Sequence, residues 1–328
     1  MSLRPVGIIG TGKYVPERIL TNHDLEQMVE TNDEWIVTRT GIKERRVASA
    51  GEATSDLAYE ASRLAIEAAG LTADDIDLII VATITPDMFF PSTACLLQDK
   101  LGAKKAAAFD LSAACSGFIY GLSTASSMIA TGMYKHILVV GAETLSRITD
   151  YTDRNTCILF GDGAGAVVLG EVPEGRGFKS FVLGADGSGG ELLKVSGGGS
   201  RMPATEQSIA DKKHYIYMAG NDVFKFAVRI MGSAAEEALE KAGMTKDEID
   251  LLIPHQANIR IIHSAMNRLE LSEQKAMINL NKYGNMSAAS IPVALAEAVE
   301  QQRIQTGDKL VFVGFGGGLT WGASVLVW

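Results

Sequence analysis

The chain has 328 residues, a formal net charge of −9 and 47% hydrophobic residues. A chain of this size can bury a large core, and its length favours two structural units over one. It contains no apolar run near the ~20 residues that cross a bilayer and no signal-peptide pattern, so a cytoplasmic protein without membrane contacts is expected. The acidic charge disfavours nonspecific nucleic-acid binding. Three cysteines without a CxxC pair or a Cys/His cluster predict reduced thiols and no metal site.

Strands and helices alternate along the first half of the chain. Residues 69–82 combine the end of an alanine-rich helix, a turn and a short apolar strand. Residues 106–111 predict a buried strand, and the small residues 112–117 open a helix that ends near residue 132. Residues 161–170 are rich in glycine, but they lack the Lys-Ser/Thr ending of a phosphate loop and run into a strand pattern. Nucleotide binding is therefore not expected there.

The second half of the chain repeats the first. AGLTADDIDLIIVA at 69–82 returns as AGMTKDEIDLLIPH at 242–255, SAAC at 112–115 returns as SAAS at 287–290, and LVVG at 138–141 returns as VFVG at 311–314. The offsets are 173, 175 and 173 residues, and the order is kept, which indicates a duplication. It predicts two similar α/β halves, 1–174 and 175–328, each with a parallel sheet covered by helices on both faces.

Reactive residues that occur in only one copy mark the candidate site. Cys115 aligns with Ser290 at the mouth of equivalent helices, and His255 replaces Ala82 at the carboxyl end of a strand. Open α/β sheets usually bind their ligands at that end. Asn285 precedes the second of the two helices. If the halves pack about a pseudo-twofold axis, Cys115, His255 and Asn285 converge at the seam.

Each residue of this trio also has a plain structural interpretation. A free cysteine is most often a buried, inert residue, and a lone histidine or asparagine is usually a satisfied polar group. However, the expected place of Cys115 is the first turn of a helix, where unpaired N–H groups and the helix dipole favour the reactive thiolate. Three such residues at matching positions of a duplication favour a catalytic set. Cys95 and Cys157 lie on apolar faces and are expected to be core residues.

Six motifs resemble those of the thiolase-fold condensing enzymes, most closely the 3-oxoacyl-acyl-carrier-protein synthase III family. They are DEWIVTRTGI, SAACSGF, TDRNTCILFGDGAGA, PHQANIRI, YGNMSAASIP and GFGGGLTWG. The resemblance covers essentially the whole chain. It implies a thiolase-like fold with a layered αβαβα architecture, and Asn285 selects the Cys/His/Asn branch of the superfamily. Chalcone-synthase-like polyketide synthases share that trio but lack this set of motifs, so a related polyketide ketosynthase is the alternative.

The activity that the resemblance implies is the initiation of fatty acid synthesis. An acyl group would pass from acyl-CoA to Cys115, and malonyl carried on acyl carrier protein would then be decarboxylated and condensed with it. Backbone N–H groups of Cys115 and Gly317 would form an oxyanion hole. His255 and Asn285 would donate hydrogen bonds to the enolate, without a metal or a bound cofactor. A cysteine hydrolase with the same trio and a scaffold without activity are rival interpretations.

The resemblance also implies where coenzyme A lies. Trp35, Arg39 and Arg154 would hold its adenine and phosphate end, since tryptophan stacks on adenine and arginine pairs with phosphate. Gly220 and Asn258 would line the channel for its pantetheine arm.

Two further surfaces follow from the resemblance. Phe315 would line the acyl pocket, and Phe90 would reach across a homodimer interface to close it. Four basic residues on helices would form a patch for the acidic carrier protein: Lys225, Arg229, Arg260 and Arg268. The size of the acyl pocket, and with it the preferred primer, is not set by the sequence.

Overall fold

The computed structural model describes residues 4–328. In this range the strands are β1 (Val6–Tyr14), β2 (Ile19–Thr21), β3 (Glu44–Arg46), β4 (Leu78–Ala82), β5 (Ala107–Leu111), β6 (Ile137–Thr144), β7 (Asp162–Glu171), β8 (Gly177–Ala185), β9 (Leu193–Val195), β10 (Ile216–Met218), β11 (Leu251–Pro254), β12 (Lys309–Gly316) and β13 (Thr320–Val327). The helices are α1 (Asn22–Glu26), α2 (Asp33–Thr40), α3 (Thr54–Ala68), α4 (Thr93–Leu101), α5 (Gly117–Ala130), α6 (Glu206–Ala210), α7 (Gly220–Ala242), α8 (Ile259–Arg268), α9 (Leu280–Tyr283) and α10 (Ser290–Glu300). None of these helices is long and apolar enough to cross a membrane.

Two mixed sheets form the centre of the molecule. The first has the order β1-β7-β6-β4-β5 and the second has the order β11-β12-β13-β8. In the first sheet β4 is parallel to β5 and β6, but β7 is antiparallel to β6 and β1. In the second sheet β13 is antiparallel to both of its neighbours. The prediction of parallel sheets is therefore wrong for the antiparallel strands β1, β7, β8 and β13. Between β12 and β13, for example, the connection is a three-residue turn, which is too short for the crossover that parallel strands need.

The two sheets share one plan, as the sequence repeat predicts. β4 and β11 begin 173 residues apart, and so do α5 and α10. Short 3-10 turns occupy equivalent places before β4 and β11, at Ala73–Asp75 and Lys246–Glu248. The counterpart of β5 is reduced to a single parallel bridge between Leu252 and Ala276. The boundary between residues 174 and 175 falls in the connection between β7 and β8, and as a domain boundary it stays a prediction.

Helices form three layers around the two sheets. α3 covers the outer face of the first sheet, α7 covers the outer face of the second, and α5 and α10 lie between the sheets. Nine of the eleven residues of α10 are buried, because this helix has a sheet on either side. The result is the layered αβαβα order.

Strand β5 is more exposed than the predicted buried strand. It forms the edge of the first sheet, and no strand in residues 4–328 pairs with its free side. Its residues are consequently exposed or half-buried. The nearby loop leaves the Phe89 and Phe90 side chains 82% and 85% exposed. A free edge strand beside exposed aromatic residues is open to pairing with another chain.

Candidate active site

Cys115 lies in a sharp turn between β5 and α5. The turn is a 3-10 turn, Ala114–Ser116, and Ala114 has a φ of 47°, in the left-handed region. The Ser116 hydroxyl holds the turn in place through the Ala113 carbonyl at 2.8 Å and the Thr320 hydroxyl at 2.7 Å. Cys115 is therefore fixed at the mouth of α5, close to its predicted place in the first helical turn.

The turn that precedes α10 has the same shape. Ser287 there has a φ of 46°, as Ala114 has in the first half. The structural counterpart of Cys115 is therefore Ala288, and the predicted match with Ser290 is wrong by two residues. The similarity of the letters SAAC and SAAS misled the alignment, whereas the backbone conformation keeps the 173-residue spacing of the strands.

Each turn packs against a glycine of the other half. A Cβ atom on Gly141 in β6 would lie 2.2 Å from the carbonyl oxygen of Ala288. A Cβ atom on Gly316 in β12 would lie 2.5 Å from the backbone nitrogen of Cys115. Only glycine permits approaches this close. The two halves thus meet at Cys115, which brings the thiol beside residues of the second half.

His255 follows β11 and is 1% exposed. Its backbone N–H donates to the Val313 carbonyl at 2.8 Å, and its ring stands edge-on to Phe315 with the centroids 5.8 Å apart. Burial lowers the pKa of His255 to about 3, so the imidazole is neutral at physiological pH. Its buried Nδ1 has no hydrogen-bond partner among the described residues.

Asn285 is held by three hydrogen bonds. Its backbone N–H donates to the Leu159 carbonyl at 2.8 Å, and its carbonyl accepts from the Gly161 N–H at 3.0 Å. Its side-chain Oδ1 accepts from the Ser287 backbone N–H at 2.8 Å. With Oδ1 occupied, the Nδ2 amino group is the part of the side chain left to donate to a ligand.

The pKa of the Cys115 thiol is higher than its position at the mouth of a helix predicts. Burial raises its pKa to about 12; the Ser287 hydroxyl lowers it, and the Glu143 charge raises it. The predicted preference for a thiolate is therefore wrong for this site. Burial destabilises the charged thiolate by more than the few N–H groups at the helix mouth stabilise it.

A narrow channel of about 100 Å³ brings the trio together. Cys115, His255 and Asn285 all line it, as do Phe315 and Gly316. The channel continues into a wider mouth of about 390 Å³ at the surface. Residues common to both are Leu159, Met218, Gly220, Phe224 and Asn258. The structure thus places Gly220 and Asn258 between the mouth and the thiol.

Trp35 and Arg39 line the mouth, and Arg154 packs on the Trp35 ring. The guanidinium carbon of Arg39 lies 4.6 Å from the centroid of the Trp35 ring, and that of Arg154 lies 5.2 Å from it. Asn258 caps α8 and donates its amide to the Arg39 carbonyl at 2.9 Å. This bond ties α2, which carries Trp35 and Arg39, to the channel wall.

An apolar cavity of about 390 Å³ also borders Cys115. Gly317 lies on this side of the thiol. Phe315 does not line the cavity but faces the channel beside His255, and Phe90 does not line it within its own chain. The apolar wall comes from both halves: Ile84, Leu145, Ile148, Phe160, Leu193 and Ile216.

The four predicted carrier-protein residues are all exposed, on α7 and α8. Arg260 lies at the channel mouth. Arg268 is paired with Glu236 at 2.6 Å, so part of its charge is already neutralised. Lys225 and Arg229 stand on α7, which begins at the mouth.

Gln256 is a buried residue beside His255 that the sequence alone does not predict to be part of the site. Its amide donates to the Pro254 carbonyl at 2.8 Å and the Met277 carbonyl at 3.0 Å, and its Oε1 accepts from the Asn279 N–H at 3.0 Å. These bonds fix the loop that carries His255. The available signal was a polar residue between buried neighbours in PHQANIRI.

The two predicted core cysteines differ from each other. Cys157 is fully buried, as expected. Cys95 is exposed, and its prediction is wrong. Helix α4 buries Thr93, Ala94 and Leu97, which leaves Cys95 on its outer side.

Comparisons with known proteins decide the family. Residues 109–187 match the model of 3-oxoacyl-[acyl-carrier-protein] synthase III, and residues 239–328 match the model of its C-terminal part. The β-ketoacyl-[acyl-carrier-protein] synthase III of Desulfitobacterium hafniense (strain Y51) is 60% identical over 323 residues, which cover 98% of each chain. The chain belongs to the 3-oxoacyl-acyl-carrier-protein synthase III family.

Solved structures agree with this assignment. The 3-oxoacyl-[acyl-carrier-protein] synthase III of Aquifex aeolicus VF5 is 48% identical, with a TM-score of 0.92 over 98% of this chain and 100% of that chain. The priming β-ketosynthase of the R1128 polyketide pathway is 36% identical, with a TM-score of 0.92 over 99% of this chain and 97% of that chain. The predicted family, the thiolase-like fold and the condensing, acyl-transferring activity of fatty acid synthesis are confirmed. The polyketide alternative has weaker support.

Proposed function

We propose that this chain starts fatty acid synthesis by condensing an acyl primer with malonyl-acyl carrier protein, and that Cys115, His255 and Asn285 are its catalytic residues. The observation that carries the proposal is their convergence. All three line one channel, which leads from a mouth with a tryptophan and arginines to a buried thiol. An apolar cavity borders the same thiol.

The first step is acyl transfer to Cys115. Its sulfur attacks the thioester carbonyl of acyl-CoA, a new thioester forms, and the thiol of coenzyme A leaves with the proton that Cys115 gives up. One thioester replaces another, so the step is close to balanced in free energy. Backbone N–H groups of Cys115 and Gly317 stabilise the oxyanion, and the acyl chain enters the apolar cavity.

The second step needs donors rather than a nucleophile. Loss of carbon dioxide from the malonyl thioester leaves an enolate, whose oxygen is stabilised by the His255 imidazole and the Asn285 amino group. The enolate carbon then attacks the Cys115 thioester, and the thiolate of Cys115 leaves. A neutral imidazole suits this role, since it keeps one N–H to donate. Coenzyme A takes part only as a substrate and product, so these steps use no metal and no resident cofactor.

Coenzyme A binds with its adenine and phosphate end at Trp35, Arg39 and Arg154. Its pantetheine arm passes Gly220 and Asn258 to reach the thiol. The support is the cation–π cluster around Trp35 and the continuity of mouth and channel.

The acidic carrier protein docks on the basic residues of α7 and α8. Arg260 at the channel mouth is the best placed of them. Arg268 contributes less, because Glu236 already pairs with it.

The working form is a homodimer. Strand β5 has a free edge, and Phe89 and Phe90 in the loop between β4 and α4 are almost fully exposed. Pairing two copies along β5 would cover this apolar surface. It would also bring Phe90 toward the partner's acyl cavity.

The test is intact-protein mass spectrometry after incubation with a panel of acyl-CoA thioesters. The wild-type chain should gain the mass of one acyl group, whereas Cys115→Ala should gain none. Malonyl-acyl carrier protein should then release the group as a 3-oxoacyl product. Free acid and coenzyme A without a new carbon–carbon bond would instead identify a hydrolase.

A further inference from the structure

Glu143 is a fully buried carboxyl group that none of the proposed steps uses. It stands near the end of β6, and the residues of this strand that precede it are all apolar. The hydroxyls of Thr83 and Thr85 donate to its Oε2 at 3.2 and 2.5 Å, and the Ile84 backbone N–H donates at 3.2 Å. Glu143 therefore holds three consecutive residues that follow β4.

Two residues near Glu143 belong to the wall of the acyl cavity. Ile84 lines the cavity from the first half, and Ser287 lines it from the second. Burial raises the pKa of Glu143 to about 7 and that of Cys115 to about 12, and the nearby Ser287 hydroxyl partly offsets both shifts. Neither contact has full hydrogen-bond geometry, and the buried Ser287 Oγ has no hydrogen-bond partner in residues 4–328. Glu143 thus borders the wall where the two halves meet.

The segment that Glu143 holds, residues 83–85, is also the start of the loop that carries Phe90, and further hydrogen bonds fix it. The Thr85 hydroxyl accepts from the Thr144 N–H at 2.9 Å, and the Thr85 carbonyl accepts from the Thr54 hydroxyl at 2.5 Å. Segment 83–85 is therefore held on both sides just before the exposed aromatic residues. A shift of this segment would move the cavity wall and the loop together.

No cation pairs with Glu143 within the described chain. The groups that hydrogen-bond to it are two hydroxyl groups and a backbone N–H. A neutral side chain with the same shape and an acceptor oxygen can therefore replace it. A side chain without an acceptor would leave the Ile84 N–H buried and unpaired, which is costly.

We propose that Glu143 is a positioning residue that sets the shape of the acyl cavity beside Cys115, and thereby the primers that load onto this cysteine. It does so by holding segment 83–85, which includes the wall residue Ile84. This inference rests on the proposed function of Cys115 as the acyl acceptor.

Three variants and a control test the proposal. Glu143→Leu removes every acceptor at nearly equal volume, whereas Glu143→Gln keeps an acceptor and is the conservative rescue. Thr85→Val removes one donor to Glu143, and with it the acceptor of the Thr144 N–H, but leaves the carboxyl group in place. The control is Glu297→Leu. Glu297 is also buried and bonded, to Asn279 at 2.8 Å and to Lys282 at 2.9 Å, but neither of these partners lines the cavity.

The readouts are KM for acyl-CoA across primers of different length, carbon dioxide release from malonyl-acyl carrier protein, and Tm. Glu143→Leu should raise KM for the preferred primer about tenfold and flatten the preference among primers, since one buried hydrogen-bond set is lost. Thr85→Val should shift the profile in the same direction by less. Glu143→Gln should restore the wild-type profile. Decarboxylation should stay within about twofold of wild type in all three variants, because His255 and Asn285 do not contact Glu143.

An unchanged primer profile in Glu143→Leu would overturn the proposal. A parallel fall of loading, decarboxylation and Tm, as expected for Glu297→Leu, would overturn it too, because Glu143 would then act only through stability. If Glu143→Leu does not fold, a wild-type profile in Thr85→Val has the same consequence. Failure of the wild-type chain to load any primer would refute the proposed function itself.

Discussion

Replacing Asn285 separates donation to the enolate from every other task of this side chain. Its Oδ1 accepts from the Ser287 N–H at 2.8 Å, so Asn285→Ala would also leave a buried N–H unpaired. That loss costs about 1–3 kcal/mol of stability and would confuse the result. Asn285→Asp keeps the acceptor and removes only the donor when its carboxyl group is ionised. The informative variant is therefore the aspartate, measured at pH 8.

The expected loss follows from the role of one oxyanion donor. Such a donor is worth about 10²–10³ in rate, or about 2.7–4 kcal/mol. Asn285→Asp should lose at least this factor in carbon dioxide release, since a carboxylate also repels the enolate. Acylation of Cys115 should change by less than about threefold, because loading uses the thiol and the backbone N–H groups.

Two assays measure the loading step and the decarboxylation step separately. Transfer of radiolabelled acyl groups from acyl-CoA measures loading, and labelled carbon dioxide from malonyl-acyl carrier protein measures decarboxylation. Asn285→Ala serves as the companion variant, with the loss of about 10²–10³ expected for one missing donor and a lower Tm. The reasoning is wrong if Asn285→Asp condenses within tenfold of wild type. It is equally wrong if loading falls as far as decarboxylation.

Further predictions concern the thiol, the mouth and the interface. Cys115→Ala should lose acyl loading and keep malonyl decarboxylation, and loss of both in the same assays would contradict the division of roles. Loading should rise about tenfold per pH unit from pH 7 to 9, because the thiolate is the reactive form and a pKa of about 12 lies above this range; a plateau below pH 9 would refute it. Arg39→Glu or Arg154→Glu should raise KM for acyl-CoA at least tenfold and leave KM for malonyl-acyl carrier protein within about twofold, and equal effects on both would argue against the coenzyme A site. Phe90→Asp should weaken self-association in sedimentation velocity; a wild-type chain that stays monomeric at micromolar concentration would exclude the dimer.

The convergence of the trio could be predicted because the duplication supplied the geometry. Cys115, His255 and Asn285 are far apart in the chain, but a pseudo-twofold arrangement places their positions at one seam. The predicted match between Cys115 and Ser290 was wrong, because similarity between two short sequences does not show that their backbones have the same conformation at the same residue. The positive φ of Ser287 locates the turn, and serine is not a residue that signals it.

Burial explains most of what the sequence could not show. The small residues before α5 predict that Cys115 lies at the start of a helix, but the pKa of its thiol depends on neighbours from both halves. In the sequence, Glu143 is a single acidic residue that follows an apolar run, and nothing nearby indicates what it binds. Its partners lie about 60 residues away in the chain, at Thr83 and Thr85. The exposure of β5 likewise depends on the absence of a neighbouring strand, which no local pattern encodes.

The glycine contacts between the halves also determine how the enzyme can move. Gly141 lies against Ala288 and Gly316 lies against Cys115, with backbone from one half touching backbone of the other. A hinge that opened the seam would have to break both contacts at once. We therefore expect the two halves to stay together around the thiol during turnover. On the proposed function, substrates would reach Cys115 along the channel, and we expect any gating motion in the loops and side chains at its mouth.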